Sequence, residues 1–337
     1  MTRVAAPNGL KIFSGTANPD LAKSICTFLK VPLGDLMVSR FSEGEIRIKI
    51  NEDVRGRDIF IVQPTCPPVN DNVIELLIMI DAFRRASARR ITAVLPYYGY
   101  ARQDRKDQPR VPITAKLMAN IITTAGADRV LAMDLHAQQI QGFFDIPVDH
   151  LYALPVIVNY FRQKNLKDLM VVSPDVGGIK MARAFAKVLG TDLAVVDKRR
   201  WGPNEVEAMN LIGEVKGRSV LIPDDMISTG GSMVEAVNVI LKAGATEVYA
   251  CCSHGILSGN AMENLKNSPL KEIVITDSIP LPQRNGSVRL RFSRWVPCWG
   301  MRSCVSTTKS RSARCSKILI LDKPSRESIR DRLTVTA

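Results

Sequence analysis

Ser219-Val220-Leu221-Ile222-Pro223-Asp224-Asp225-Met226-Ile227-Ser228-Thr229-Gly230-Gly231-Ser232 is an apolar, strand-like run that gives way to two acids and then to a loop of hydroxyls and glycines. A helical pattern, Ser232–Ala243, follows at once. The strand is expected to end at Ile222. Amides and hydroxyls of the loop suit a monoester phosphate at a helix N-terminus, where the dipole favours negative charge. The two acids suit vicinal sugar hydroxyls or Mg²⁺, a hard cation that prefers oxygen. This one segment has the groups to read a sugar phosphate end to end.

Working outward, the same strand-then-helix rhythm recurs. Apolar runs lie at Asp58–Gln63, Ile91–Leu95, Arg129–Met133, Leu169–Val172, Leu193–Val196, Glu247–Cys252 and Glu272–Thr276. Helical patterns lie at Asn72–Ala86, Thr114–Ala125 and Ile179–Leu189, with Gly126, Gly190 and Gly244 as helix stops. Alternation of this kind implies an α/β fold of parallel sheets, whose ligands sit beyond the carboxyl ends of the strands. Three further post-strand loops carry reactive groups. Pro96–Arg105 offers guanidinium forks and aromatic faces. Asp134-Leu135-His136 places a rare histidine beside a carboxylate. Ser173-Pro174-Asp175-Val176-Gly177-Gly178 pairs an acid with two glycines before a helix. Taken alone, the first has a solvated basic loop as its weaker rival, the second reads better as a structural, hydrogen-bonded histidine, and the third reads equally well as a plain strand-to-helix turn. No Gly-x-x-x-x-Gly-Lys-Ser/Thr or Gly-x-Gly-x-x-Gly occurs, which disfavours Walker and dinucleotide sites.

The 337 residues allow two domains, and a boundary falls near Asp149–Pro155. The net charge of +13 is uneven. Residues 283–337 hold 13 basic and 3 acidic groups, and the other 282 residues hold 33 and 30. A nearly neutral body disfavours nucleic-acid binding. No apolar run is long enough for a membrane span. The N-terminus lacks the apolar segment of a secretory signal, and seven cysteines without metal or disulfide spacing fit a reduced, cytoplasmic setting.

The long motifs resemble those of the ribose-phosphate pyrophosphokinases, closest to the bacterial, phosphate-activated class. Asp134–Asp149 is similar to the family's signature stretch. Phe41-Ser42-Glu43-Gly44-Glu45, Tyr100-Ala101-Arg102-Gln103-Asp104 and Asp197-Lys198-Arg199-Arg200 match as well, over about Lys11 to Pro282. The resemblance implies two similar, doubly wound, phosphoribosyltransferase-like domains: 8–150 for ATP and 151–282 for ribose 5-phosphate. It implies transfer of the β,γ-diphosphoryl group of ATP to the C1 hydroxyl of ribose 5-phosphate, giving AMP. Arg102, Gln103 and Asp104 would contact ATP, with Phe41, Glu43 and Glu45 reaching the adenine from a neighbouring subunit. His136 and Asp175 would organise Mg²⁺ and the triphosphate. Asp224 and Asp225 would hold the ribose hydroxyls, and Ser228, Thr229, Gly230, Gly231 and Ser232 the 5-phosphate. Lys198 and Arg200, with His136, would be the catalytic set, the first two on a flexible closing loop. A homohexamer, activation by inorganic phosphate and inhibition by ADP come with the family.

The chain departs from the family pattern in three places. Pro223 stands where the family usually has an aliphatic residue, and proline removes a backbone donor at the end of a central strand; a distortion there would shift the two acids after it. Ser228 stands where many members have Asp. After Pro282 the alternating pattern stops, and 283–337 reads as an atypical basic tail of Arg, Ser, Cys and Trp. That tail is expected to be an out-of-frame replacement of the last strand and helix, with a genuine basic extension as the rival. These departures keep open a non-catalytic regulatory partner of an active synthetase. A phosphoribosyltransferase shares the Asp224–Ser232 loop but has no need of the Tyr100–Asp104 or Asp134–Asp149 stretches.

Overall fold

The computed structural model describes residues 9–199, 208–280 and 290–293. In chain order the strands and helices are β1 (Leu10–Ser14), α1 (Pro19–Leu29), β2 (Leu36–Arg40), β3 (Ile46–Ile50), β4 (Asp58–Val62), α2 (Val69–Arg85), β5 (Arg90–Leu95), α3 (Thr114–Ala125), β6 (Arg129–Met133) and β7 (Val148–Leu151). They continue with α4 (Leu154–Lys164), β8 (Leu169–Ser173), α5 (Ile179–Leu189), β9 (Leu193–Arg199), β10 (Ala208–Ile212), β11 (Ser219–Ile227), α6 (Gly231–Lys242), β12 (Glu247–Gly255), α7 (Ala261–Lys266), β13 (Glu272–Thr276) and β14 (Leu290–Ser293).

Two sheets form, one in each half of the chain, parallel throughout except for β10, which pairs antiparallel at the edge of the second. The first runs β1-β4-β5-β6-β7, with β2 and β3 set aside as a separate antiparallel hairpin. The second runs β10-β9-β8-β11-β12-β13-β14. Its order reverses between β8 and β11, and such a switch point opens a crevice at the carboxyl ends of the strands. β4 and β13 are buried along their whole length, as strands covered on both faces must be. The first core gathers Phe13, Leu76, Met79, Ile80 and Phe83. Phe13 and Phe83 rings pack 4.6 Å apart. The second core gathers Val220, Ile222, Val237, Ile240 and Ile275. Gly126 and Gly190 end α3 and α5 in the left-handed region that glycine tolerates.

Three sequence expectations are corrected. β11 does not stop at Ile222: it runs to Ile227, so Asp224 and Asp225 lie within the strand. Pro223 does not break it, because the ladder to β8 ends at Leu221 while the ladder to β12 continues through Pro223↔Cys251 and Asp224↔Cys252. A residue without a backbone donor is accommodated where one neighbouring ladder has already finished. β9 likewise outruns Val196 and takes in Lys198, which pairs with Met209 of β10 in antiparallel register rather than sitting in an open loop. Arg200 lies outside the described residues. Finally, a strand does follow Pro282: β14 pairs in parallel with β13 from Ile273↔Leu290 to Thr276↔Ser293. The rest of the 283–337 tail lies outside the described residues. Among the described residues no helix is long and apolar enough to cross a membrane.

Candidate active site

β6 delivers His136. Asp134, just past the strand, adopts φ +34°, a left-handed conformation uncommon outside glycine, and the turn it begins carries His136 across to the second sheet. There His136 Nδ1 lies 2.6 Å from Asp225 Oδ2 of β11. The hydrogen bond that His136 donates to Asp225 raises the His136 pKa, against the effect of burial. Burial pushes the Asp225 carboxyl up, but the His136 hydrogen bond and charge outweigh it and hold Asp225 below the usual range. With Nδ1–H donated to Asp225, the neutral ring leaves its Nε2 lone pair free for a metal, as in carboxylate–histidine–metal arrangements.

Beside this pair Asp224 is pushed well above the ordinary carboxylate range, first by burial and then by the charges of Asp225 and Asp175. The excess of negative charge in one crevice is what a divalent cation would relieve. Asp175 follows β8 on the other side of the switch point. Its Oδ1 accepts from Gly178 N at 2.7 Å, which stabilises the turn into α5.

The phosphate loop sits at the start of α6. Gly230 holds φ +75°, and a side chain there would press on Leu265, so glycine is required. No side chain caps the helix, leaving its first amides available. Ser228 Oγ lies 3.0 Å from Ser258 Oγ, and Asn264 Nδ2 donates to Thr229 O at 2.9 Å, so the loop is held from outside. Ser232 lies in the first turn of α6.

The loop after β5 forms one side of a cleft of about 600 Å³ lined by Val69, Asn70, Tyr97, Tyr100, Arg102 and Gln103. Its shape depends on Gly99, whose amide donates to Thr65 Oγ1 at 2.7 Å and where a Cβ would stand 2.6 Å from Thr65 O. Gln103 is fixed by Thr114, and Asp104 accepts from Gln139 Nε2 at 2.8 Å, tying this loop to the turn that bears His136. Arg102 is exposed, and its charge is felt at both His136 and Tyr97.

Phe41, Glu43 and Glu45 are not brought into this cluster. They sit on the β2–β3 turn, closed by Phe41 N to Glu45 O at 2.9 Å, with Arg47 stacked 5.6 Å from the Phe41 ring. Phe41 is 46% exposed.

Sequence reasoning singled out Asp134 but missed its buried partners beneath the site, Ser253 and His254. Asp134 Oδ2 accepts from Ala153 N at 2.9 Å and from Ser253 Oγ. Burial pushes the Asp134 carboxyl up to about 6 against those hydrogen bonds. His254 Nε2 lies 3.2 Å from both Met133 O and Asp134 O, and its Nδ1 lies 2.9 Å from Ser278 Oγ. The one available signal was that polar Ser253 and His254 prolong the apolar Glu247–Cys252 run; their pairing with the other sheet has no sequence mark.

His150 braces the same turn. Its Nε2 accepts from Leu135 N at 2.9 Å, and Gln141 Nε2, which donates to Gln138 O at 3.0 Å, lies 3.2 Å from its Nδ1. Burial and the His254 charge hold the His150 pKa down to about 4. The native state then binds fewer protons than the unfolded chain below the ordinary histidine value. That stability is full above about pH 6.5 and is lost as pH falls towards 4. Asp134, raised, works in the opposite sense. We expect His150→Gln, which keeps an acceptor for Leu135, to shrink the stability lost between pH 7 and pH 5 by about 1 kcal/mol. Urea unfolding of both proteins at the two pH values measures it, and an equal loss in both would refute it.

Two parallel-sheet halves, a switch-point crevice with paired acids, and an open helix N-terminus behind Ser228–Ser232 define a two-domain α/β protein of the phosphoribosyltransferase-like class. Residues 10–126 match the family model of the N-terminal domain of ribose phosphate pyrophosphokinase, and residues 156–280 match that of the phosphoribosyl transferase domain. The chain is 58% identical to the ribose-phosphate pyrophosphokinase of Clostridium acetobutylicum, over 81% of this chain and 86% of that one. It is 52% identical to that of Bacillus subtilis, over 86% and 92%. The crystal structure of phosphoribosylpyrophosphate synthetase from Mycobacterium smegmatis superposes with a TM-score of 0.81 at 40% identity, covering 86% of this chain and 96% of that one. The chain belongs to the ribose-phosphate pyrophosphokinase family.

Proposed function

We propose that this chain transfers the β,γ-diphosphoryl group of ATP to the C1 hydroxyl of ribose 5-phosphate, forming phosphoribosyl pyrophosphate and AMP for nucleotide biosynthesis. The observation that carries the reading is the 2.6 Å contact between His136 and Asp225. It draws the turn of one sheet, linked through Gln139 to the Arg102–Asp104 loop, onto the strand whose continuation is the phosphate loop.

In this reading Arg102, Gln103 and Asp104 hold ATP, and the fork of Arg102 pairs with phosphate oxygens. Ser228, Thr229, Gly230, Gly231 and Ser232 take the 5-phosphate with amides and hydroxyls. Asp224 and Asp225 face the ribose hydroxyls, and Asp225 also orients His136. The C1 hydroxyl oxygen bonds to Pβ and gives up its proton to solvent as the bond from Pβ to the oxygen bridging it to Pα breaks, and that oxygen leaves with AMP. Such a step needs alignment and charge compensation more than covalent help. The carboxylates suit Mg²⁺, a hard cation that prefers oxygen: Asp175 would hold it with His136 beside it, and when bound it would neutralise the triphosphate. Lys198 and Arg200 are assigned to cover the transferring group and exclude water, the competing nucleophile. Phe41, Glu43 and Glu45, exposed on their turn, are assigned to the adenine of a neighbouring subunit in a homohexamer. Inorganic phosphate and ADP are its expected effectors, and the cytoplasm its expected site of action.

The test is AMP release from ATP and Mg²⁺, with and without ribose 5-phosphate, at several phosphate concentrations. AMP that requires ribose 5-phosphate is the expected result. AMP release indifferent to the sugar, or none under any condition, would contradict the proposal.

A further inference from the structure

We infer that Asp134 and Ser253 are positioning residues for this reaction: their buried hydrogen bond sets where His136 stands against Asp225. The inference rests on the reaction proposed above.

The turn after β6 grips the second sheet twice. Its first residue, Asp134, accepts from Ser253 Oγ of β12, and its third, His136, meets Asp225 of β11. β11 and β12 are parallel neighbours with Asp224↔Cys252 and Met226↔His254 in register. Asp225 and Ser253 therefore stand level on adjacent strands, and neighbouring in-register residues of a parallel pair project to the same face. Residues two apart on one turn are thus matched to two residues level with each other across the sheet. The first contact is buried at Asp134, which is 5% exposed; the second, at the crevice, has an exposed histidine.

Everything else around Asp134 holds the same geometry. Its own left-handed φ of +34° is retained while its carboxylate holds Ala153 N. Its carbonyl lies 3.2 Å from His254 Nε2, and its amide donates to Leu151 O at 3.0 Å. Leu135, between the two gripping residues, is tied by its amide to His150. Loss of the Ser253 hydroxyl would let the turn shift by a fraction of an ångström, enough to spoil alignment in a reaction that depends on it.

The experiment compares Ser253→Ala, Asp134→Ala (which leaves no acceptor for the Ser253 hydroxyl) and the double variant in the full chain, following AMP formation at varied ATP and ribose 5-phosphate, with thermal unfolding alongside. Each single change is expected to lower kcat by about tenfold or more while both KM values stay within about twofold. The double variant should be no slower than the worse single by more than about twofold, because both changes break one contact. Should Ser253→Ala fail to fold, Ser253→Cys, a weaker donor of similar size, replaces it. The inference is overturned if kcat per folded molecule stays near wild type, if KM absorbs the loss, or if the two losses multiply. A wild-type chain that forms no AMP overturns the reaction itself, and this inference with it.

Discussion

His136→Ala is expected to lower kcat by about a thousandfold, the scale at which removing a preorganised charge-stabilising group acts on a transfer reaction. Three observations set that expectation. His136 is the residue through which the first sheet reaches the acids of the second, at 2.6 Å from Asp225. The Asp225 carboxylate that raises its pKa also fixes the orientation of its ring. And its backbone is braced from Asp134, Leu135 and Gln139, so a change in the side chain leaves the turn in place. Asp225→Asn, which keeps the shape but loses the charge that orients His136, is expected to cost about 10–100-fold. Steady-state AMP formation measures both. A His136→Ala enzyme within tenfold of wild type would remove this residue from the reaction.

The second large effect is expected at Arg102. Arg102→Ala should raise the KM for ATP by about tenfold and lower kcat by about a hundredfold, with the KM for ribose 5-phosphate unchanged. Arg102→Lys should recover only part, since a point charge does not replace the planar fork. The side chain is exposed on a loop whose path is fixed by Gly99, Gln103 and Asp104, so its loss leaves the fold intact. The field it exerts on His136 and Tyr97 places it at the mouth of the cleft. Equal changes in both KM values, or an unchanged kcat, would show that Arg102 serves neither the triphosphate nor the transfer.

Much of this molecule was legible before its structure. Strands β4, β5, β6 and β13 and helices α3 and α5 fall where apolar runs and glycine stops put them, because buried parallel strands are nearly uniformly apolar. The crevice residues after β6 and β8 were legible as reactive groups at strand ends. What the sequence hid depends on pairing between distant segments. β11 runs past Pro223 because β12 gives it a continuous partner, which no local propensity reports. Lys198 was expected in a loop, and β10 makes it part of a strand. β14 was obscured by the basic composition around it, although four residues suffice to extend a parallel edge. The β2–β3 hairpin, with alternating half-exposed positions, carried too little apolar signal to stand out. The bond from Ser253 to Asp134 spans 119 residues and joins two sheets, so it exists only once both have formed.

The central claim is that two phosphoryl groups move together from ATP to C1 of the sugar. Phosphorus NMR of a reaction mixture containing this protein, ATP, Mg²⁺ and ribose 5-phosphate tests it most directly. The account predicts AMP and a sugar bearing a 1-diphosphate and a 5-phosphate appearing in equal amounts. ADP with a singly phosphorylated C1, or AMP with free pyrophosphate and unchanged ribose 5-phosphate, would contradict it.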